Sequence, residues 1–195
     1  MSPRAAALAP DARRAQIVAA ATPLVREHGT SVTTKQIAAA AGIAEGTVFR
    51  AFADKETLLH AVVEDVLRPE PALRQIATID LDRPLAAVVR DIAVTMQERV
   101  RSVFDIIMAV HWMPEAARRP DPQPDPITQR VIEILERFRD TLSVEPAKAA
   151  DVLRILIFAG THPMINEGRP LLAQDITDVL LHGISRRDGP SAAPP

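Results

Sequence analysis

The stretch "TTKQIAAAAGIAEGTVFRAFADKETLL", Thr33 to Leu59, sets the tightest limit on how this chain can fold. Two short helical patterns are pinched around Gly42, and a third begins at Lys55. Helices of one or two turns are marginal in water, so each must be held by packing on its neighbours. Thr33 reads as an N-cap, and Gln36 three residues on completes a capping box. Ile37 and Ala38 give the first helix its buried face, Gly42 ends it, and Ile43 fills the corner. The second helix runs from about Ala44 to Ala51. Asp54 caps the third, whose apolar residues are Leu58, Leu59, Val62, Val63 and Val66. Upstream, a helix capped by Asp11 carries Ile17, Ala20, Ala21, Leu24 and Val25 at helical spacing and stops at Gly29. Pro23 is expected to kink it or loosen one turn.

The remaining sequence is also helical in pattern. The chain has 195 residues, of which 47% are hydrophobic but only 3% aromatic, with no Tyr. A core of Ala, Leu, Val and Ile favours packed helices over a β-sandwich. Pro84 opens one helix, "SVFDIIMAVHW" forms another, and the proline-rich stretch 114–126 reads as a loop, either a lid or a plain linker. Further helices are expected over 127–142, from Pro146 to about Met164, and over 175–185. The expected fold is all-α with about nine helices. An N-terminal three-helix helix-turn-helix domain (11–55) precedes a helical effector-binding and dimerisation domain (56–186), with disordered tails at 1–10 and 187–195.

Cysteine is absent, which excludes disulfides and thiolate metal sites and fits a reducing cytoplasm. The opening MSPRAAALAP lacks a long apolar run, so no secretory leader is read there. The most apolar stretch, Val152 to Ile165, contains Arg154 and His162 and is shorter than the roughly 20 residues that span a bilayer. A soluble, cytoplasmic protein is expected, with no membrane partner. Net charge is −2, but of 23 Lys and Arg and 25 Asp and Glu the first 55 residues hold seven and four. A net-positive N-terminal piece on an acidic body points to one partner-binding end.

Two short helices meeting at a glycine corner form a helix-turn-helix: the first braces on the DNA backbone, and the second enters the major groove, where base edges are distinguishable. The parts are present. Thr33, Thr34 and Lys35 cluster at the first helix N-terminus, Glu45, Thr47 and Arg50 lie along the second, and Lys55 opens the third. Gly46 allows close backbone approach. Glu45 has two readings, an acceptor for a cytosine amino group or a solvated acid at a helix start.

The frame "AAATPLVREHG" followed by "IA..AGI..GTVF..F.DKE.LL", over about residues 12–62, resembles the TetR family of bacterial transcriptional regulators. The resemblance implies an all-α homodimer that binds a palindromic operator in double-stranded DNA and releases it when a small molecule enters the C-terminal part. It places Thr34 and Lys35 on phosphate or a base edge, Glu45 and Thr47 in the groove, and Arg50 and Lys55 on phosphate. Two positions depart from the family pattern. Phe49 stands where a Tyr usually donates to phosphate, and Ala51 stands where His or Tyr is common. Backbone anchoring is therefore expected to lean on Lys35, Arg50 and Lys55, with the tail arginines as further candidates.

In the C-terminal part, Val152 to Ile165 is apolar nearly all round and should be buried on more than one face. With the last helix it would form a four-helix interface across a two-fold axis, through Leu153, Leu156, Ile157, Gly160, Val179, Leu180, Gly183 and Ile184. The alternative is that both helices close a monomer core. The expected effector wall comprises Phe104, Ile107, Met108, His111, Trp112, Phe138, Phe158 and His162, which fits a lipophilic ligand held by a few polar groups. No catalytic triad, metal-ligand spacing or phosphate loop is present, so neither enzyme activity nor a metal or cofactor is expected. The reading is a ligand-released DNA-binding repressor. Its rival is a small-molecule sensor or carrier with a vestigial helix-turn-helix.

Overall fold

The computed structural model describes residues 9–118 and 125–183. Among these there are ten α-helices, two short 3-10 turns and no strand. They divide into two compact units, one of residues 9–68 and 101–118, the other of 69–100 and 125–183. None of the helices is long and apolar enough to cross a membrane.

The first unit holds α1 (Pro10–His28), α2 (Thr34–Ala40), α3 (Glu45–Ala51), α4 (Lys55–Leu67), the end of α6 (Leu85–Val110) and α7 (Glu115–Arg118). In α1, Ile17, Ala21 and Val25 recur four residues apart, and each is fully buried. They meet Ile37 of α2, Val48 of α3, Leu58, Val62 and Val63 of α4, and Ile106 of α6 in one core. The expected boundary after residue 55 cuts α4 away from a core that contains its buried face. Asp11 was expected to cap α1 but lies inside its first turn; Ala9 is at the cap and Pro10 supplies the preset first φ. The helix runs on through Pro23, which faces outward.

The second unit holds α5 (Glu70–Ile76), the first part of α6, α8 (Pro126–Glu136), α9 (Pro146–Thr161) and α10 (Ala173–His182). Val88, Val89, Ile92 and Ala93 of α6 pack with Val131, Ile134 and Leu135 of α8 and with Leu153 and Ile157 of α9. Gln97 is buried at 4% exposure, and its amide donates to the Leu171 carbonyl at 2.8 Å and to the Thr161 hydroxyl at 3.2 Å. That pins the segment after α9, a use for a buried polar group that an apolar residue could not serve.

Three expectations about elements change. The patterns beginning at Pro84 and Ser102 form one 26-residue helix, because no glycine or proline separates them. The proline-rich stretch contains a four-residue helix at Glu115–Arg118; residues 119–124 lie outside the described residues. The last helix starts two residues earlier than expected, at Ala173, and ends at Gly183, whose φ is 70°.

Candidate nucleic-acid interface

Val48, 1% exposed, marks the inward side of α3. At about 100° per residue, Gly46 and Arg50 fall roughly opposite it, with Glu45 and Phe49 on one flank and Thr47 on the other. Gly46 and Arg50 are exposed, as this geometry requires. A Cβ at Gly46 would meet nothing within 4 Å, so nothing inside the unit demands glycine there. Arg50 Nη2 donates to the Thr47 hydroxyl at 3.0 Å, which holds the guanidinium along the helix.

The first turn of α2 is fixed by its own cap. The Gln36 N–H donates to Thr33 Oγ1 at 3.2 Å, and the Thr33 N–H and hydroxyl both donate to Gln36 Oε1 at 2.8 Å. The Thr33 hydroxyl is thus taken up by the cap. The Thr34 hydroxyl donates to Glu45 Oε1 at 2.6 Å. Glu45 therefore braces α3 against α2, a third role beside the two its sequence position allowed. Lys35 is exposed beside them. Lys55 Nζ donates to the Thr30 carbonyl at 2.6 Å, so this cation ties the start of α4 to the turn that precedes α2.

Helix α1 secures the far ends of both short helices. Gln16 Nε2 donates to the Ala41 carbonyl at 2.9 Å and Arg14 Nη1 to the Ala51 carbonyl at 2.7 Å. These are helix-end carbonyls that lack partners within their own helices. The Arg14 guanidinium also lies 4.5 Å from the centre of the Phe52 ring, which is 2% exposed. Phe49 is the opposite case, at 52% exposure with no hydroxyl to offer. Asp54 caps α4 by accepting the Thr57 N–H at 2.7 Å, and that bond holds its carboxyl below the usual range, helped by the Thr57 hydroxyl.

The turn before α2 is also fixed by α6. Gly29 has φ 56°, and a Cβ there would sit 3.1 Å from the Ala109 carbonyl oxygen. His111 ends α6 with φ 57°, a left-handed position that glycine usually fills. Trp112 stacks on His60 of α4, ring centres 3.7 Å apart.

The expected effector-wall residues fall in both units. Phe104, Ile107, Met108, His111 and Trp112 belong to the first unit, and Phe138, Phe158 and His162 to the second. Ile107 and Trp112 pack on the first core, Met108 is 45% exposed, and Phe138 packs on the second core. His162 closes α9, its ring 5.1 Å from Phe158. The second unit contains a cavity of about 230 Å³, and of the expected wall residues only Phe158 lines it. Ile92, Met96, Arg99 and Val100 line it from one stripe of α6, with Asp125, Thr128 and Val131 from α8 and its cap and Leu153, Arg154 and Ile157 from α9. The stripe is legible as an i, i+4, i+7, i+8 spacing and carries no aromatic residue.

The expected dimer residues divide as well. Leu153 and Ile157 are 1% and 3% exposed inside the second core, and Gly160 is buried under Leu171, so these three close their own unit. Leu156 and Leu180 are half-buried at the core edge, Val179 is 38% exposed and Gly183 caps α10; Ile184 lies outside the described residues. Helix α9 is buried on one face only. Its other face carries Ile155 and Phe158, at 56% and 48% exposure.

Residues 17–62 match the family model for bacterial regulatory proteins of the tetR family. Among solved structures, the TetR-like transcriptional regulator LfrR from Mycobacterium smegmatis, in complex with proflavine, is 24% identical. That match covers 90% of this chain and 99% of LfrR, with a TM-score of 0.56. A protein from Mesorhizobium loti placed among TetR-family transcriptional regulators is 17% identical over 90% of this chain and 96% of its own, with a TM-score of 0.62. At these identities the structures show a shared fold. No curated protein matches the chain.

Proposed function

We propose, from the premise that the chain belongs to the tetR family of bacterial regulatory proteins through residues 17–62, that it is a homodimeric repressor released from a palindromic operator by a small molecule. The observation that carries this reading is the crest of α3. Gly46 and Arg50 project opposite the buried Val48, on a helix joined to α2 by the Thr34–Glu45 bond. Lys35, Arg50 and Lys55 supply the phosphate-binding charge and Thr47 a groove-facing hydroxyl. In a two-fold dimer the two α3 helices would enter major grooves one helical turn apart, about 34–36 Å.

The exposed face of α9, with Ile155 and Phe158, and Val179 of α10 is the proposed dimer surface. The cavity lined by Met96 and Phe158 is the proposed effector site; LfrR, with the same fold, holds proflavine. Helix α6 lines this cavity with Ile92, Met96, Arg99 and Val100, and its far end rests on Gly29. To weaken operator binding about a hundredfold, the effector must bind the released form about a hundredfold more tightly, ~2.7 kcal/mol of coupling.

Selection of fragmented genomic DNA on the purified protein tests the reading. An enriched inverted repeat, protected in footprinting with a spacing of one helical turn, is the expected result. Phe49, an exposed ring without a hydroxyl, favours the rival reading of a sensor that no longer binds an operator. Recovery of no enriched sequence, from protein stripped of bound ligand, would favour that rival.

A further inference from the structure

The second unit holds another cavity, of about 360 Å³, that shares no residue with the one proposed for the effector. Val89 of α6 and Leu135 of α8, 0% and 1% exposed, form its floor. Leu142 from the connection between α8 and α9, Val152 of α9, and Leu180 and Leu181 of α10 form half-buried walls. Val144 is 50% exposed and belongs to the mouth. The polar side chains of the lining are Thr141, Ser143 and Lys148, with no carboxylate among them. The Thr141 hydroxyl donates to the Phe138 carbonyl at 2.7 Å, so its proton is already used.

Lys148 is the single lysine of the chain after residue 55. Two acids stand within one turn of it, and both are engaged elsewhere. Glu145, three residues before, accepts from Arg139 Nη1 at 2.7 Å. Asp151, three residues after, lies 3.9 Å from Arg154. Among the described residues, no hydrogen bond or ion pair holds the Lys148 ammonium, and the residue is exposed, as Val144 is. An ammonium has three donors and no acceptor. The cavity thus offers hydrocarbon inside and one uncompensated positive charge at its opening. A cationic head would meet like charge there, and a neutral head would gain no Coulomb attraction. We propose that this cavity is a second ligand site and takes an amphipathic organic anion, its head on Lys148 and its hydrocarbon body against Val89, Leu135, Val152 and Leu180. Its volume falls within the ~300–1,000 Å³ of small-molecule sites. The inference uses none of the residues on which the operator and effector readings rest, so it stands or falls apart from them.

Octanoate, 1-octanol and octylammonium share a chain length and differ in head group. Each is titrated into the full-length protein and followed by methyl NMR. The Val144 and Leu181 methyls report on this cavity, and the Met96 methyl reports on the other. Octanoate is expected to shift Val144 and Leu181 along a saturable curve. An exposed ion pair adds little in water, so octanoate should bind about twofold to fivefold more tightly than octanol. Octylammonium should bind most weakly, and added salt should shrink the differences. Lys148→Gln removes an exposed charge and leaves the walls in place. It should bring octanoate down to the level of octanol and leave octanol unchanged, while Lys148→Arg should keep the preference. No saturable shift of Val144 and Leu181 with octanoate would overturn the inference. A shift confined to Met96 would overturn it too, and would support the effector reading of the other cavity. Octanol or octylammonium binding the wild type as tightly as octanoate would refute the anion preference, as would a preference that survives in Lys148→Gln.

Discussion

The Thr34 hydroxyl donates to Glu45 at 2.6 Å, eleven residues away, and joins the first turn of α2 to the first turn of α3. A helix-turn-helix needs a fixed angle between its helices, and this bond supplies part of it. Both residues sit at the surface, so a double-mutant cycle with Thr34→Val and Glu45→Gln should give a coupling of ~0.5 kcal/mol in urea unfolding. On operator DNA, Glu45→Ala should weaken binding evenly across single-base variants of the site. A loss confined to one C·G pair would instead identify Glu45 as a base reader.

Two glycines separate conformational from steric cost. Gly42 has φ 66° and open space around a hypothetical Cβ, while Gly29 has φ 56° and the Ala109 carbonyl oxygen 3.1 Å away. Gly42→Ala should cost ~1 kcal/mol, the left-handed penalty alone. Gly29→Ala should cost ~2–3 kcal/mol, since a backbone carbonyl cannot move aside as a side chain can. Equal losses in chemical denaturation would show that the end of α6 yields freely at Gly29.

Asp54 gives a signed pH dependence. Its folded pKa is depressed, first by the Thr57 N–H and then by the Thr57 hydroxyl. The stability it adds is therefore fully present above the unfolded carboxyl pKa, near 4, and is lost as pH falls through the lower folded value. Asp54→Asn keeps an N-cap and removes the titration. The wild type should be the more stable at pH 7, and the gap should close in thermal melts taken at progressively lower pH below 4. A constant gap would assign the difference to packing.

Anchoring on the DNA backbone should rest on few groups. Arg50→Ala should lower the slope of log K against log salt by about 1 and weaken operator and random DNA alike. Phe49→Tyr places a hydroxyl on a ring that is already 52% exposed. If that hydroxyl reaches a phosphate, binding should tighten about threefold to tenfold, the worth of one added hydrogen bond. Unchanged affinity in both variants would remove this flank of α3 from the contact surface.

The proposed dimer face has a direct test. Ile155 is 56% exposed on α9, two residues from the buried Leu153 and Ile157, so Ile155→Glu leaves the unit's own core intact. A charge at the centre of an apolar interface is strongly disfavoured. Sedimentation should shift from twice the chain mass toward the 21.2 kDa of one chain. A variant that stays dimeric would place the interface elsewhere.

Local signals carried most of what could be read before the structure. Thr33 with Gln36, Asp54 with Thr57, and Asp125 before Pro126 are caps whose partners lie within three residues, so spacing alone reveals them. Long-range partners are another matter. Arg14 reaches Ala51 across 37 residues, and nothing in the sequence of α1 distinguishes that guanidinium from a solvated one. The lining of the second unit's cavity is long-range in the same way. The aromatic residues Phe104 and Trp112 belong to the first unit, while the cavity uses Met96 and Arg99. In α9, a stretch apolar nearly all round concealed which residues turn inward; packing chose Leu153 and Ile157 and left Ile155 out.

The capping box at the start of α2 does something besides ending a helix. Gln36 Oε1 is turned inward by two bonds from Thr33, and this fixes the plane of the whole amide. The NH₂ group must then face the other way, toward whatever approaches that end of the helix. One residue is at once a fastener and a signpost, and the two uses are separable by chemistry. A glutamate at this position would still fasten, since its carboxylate accepts the same Thr33 protons. It would present negative charge where the amide presents donors. A change silent to every measure of folding would then be plainly visible to a polyanion.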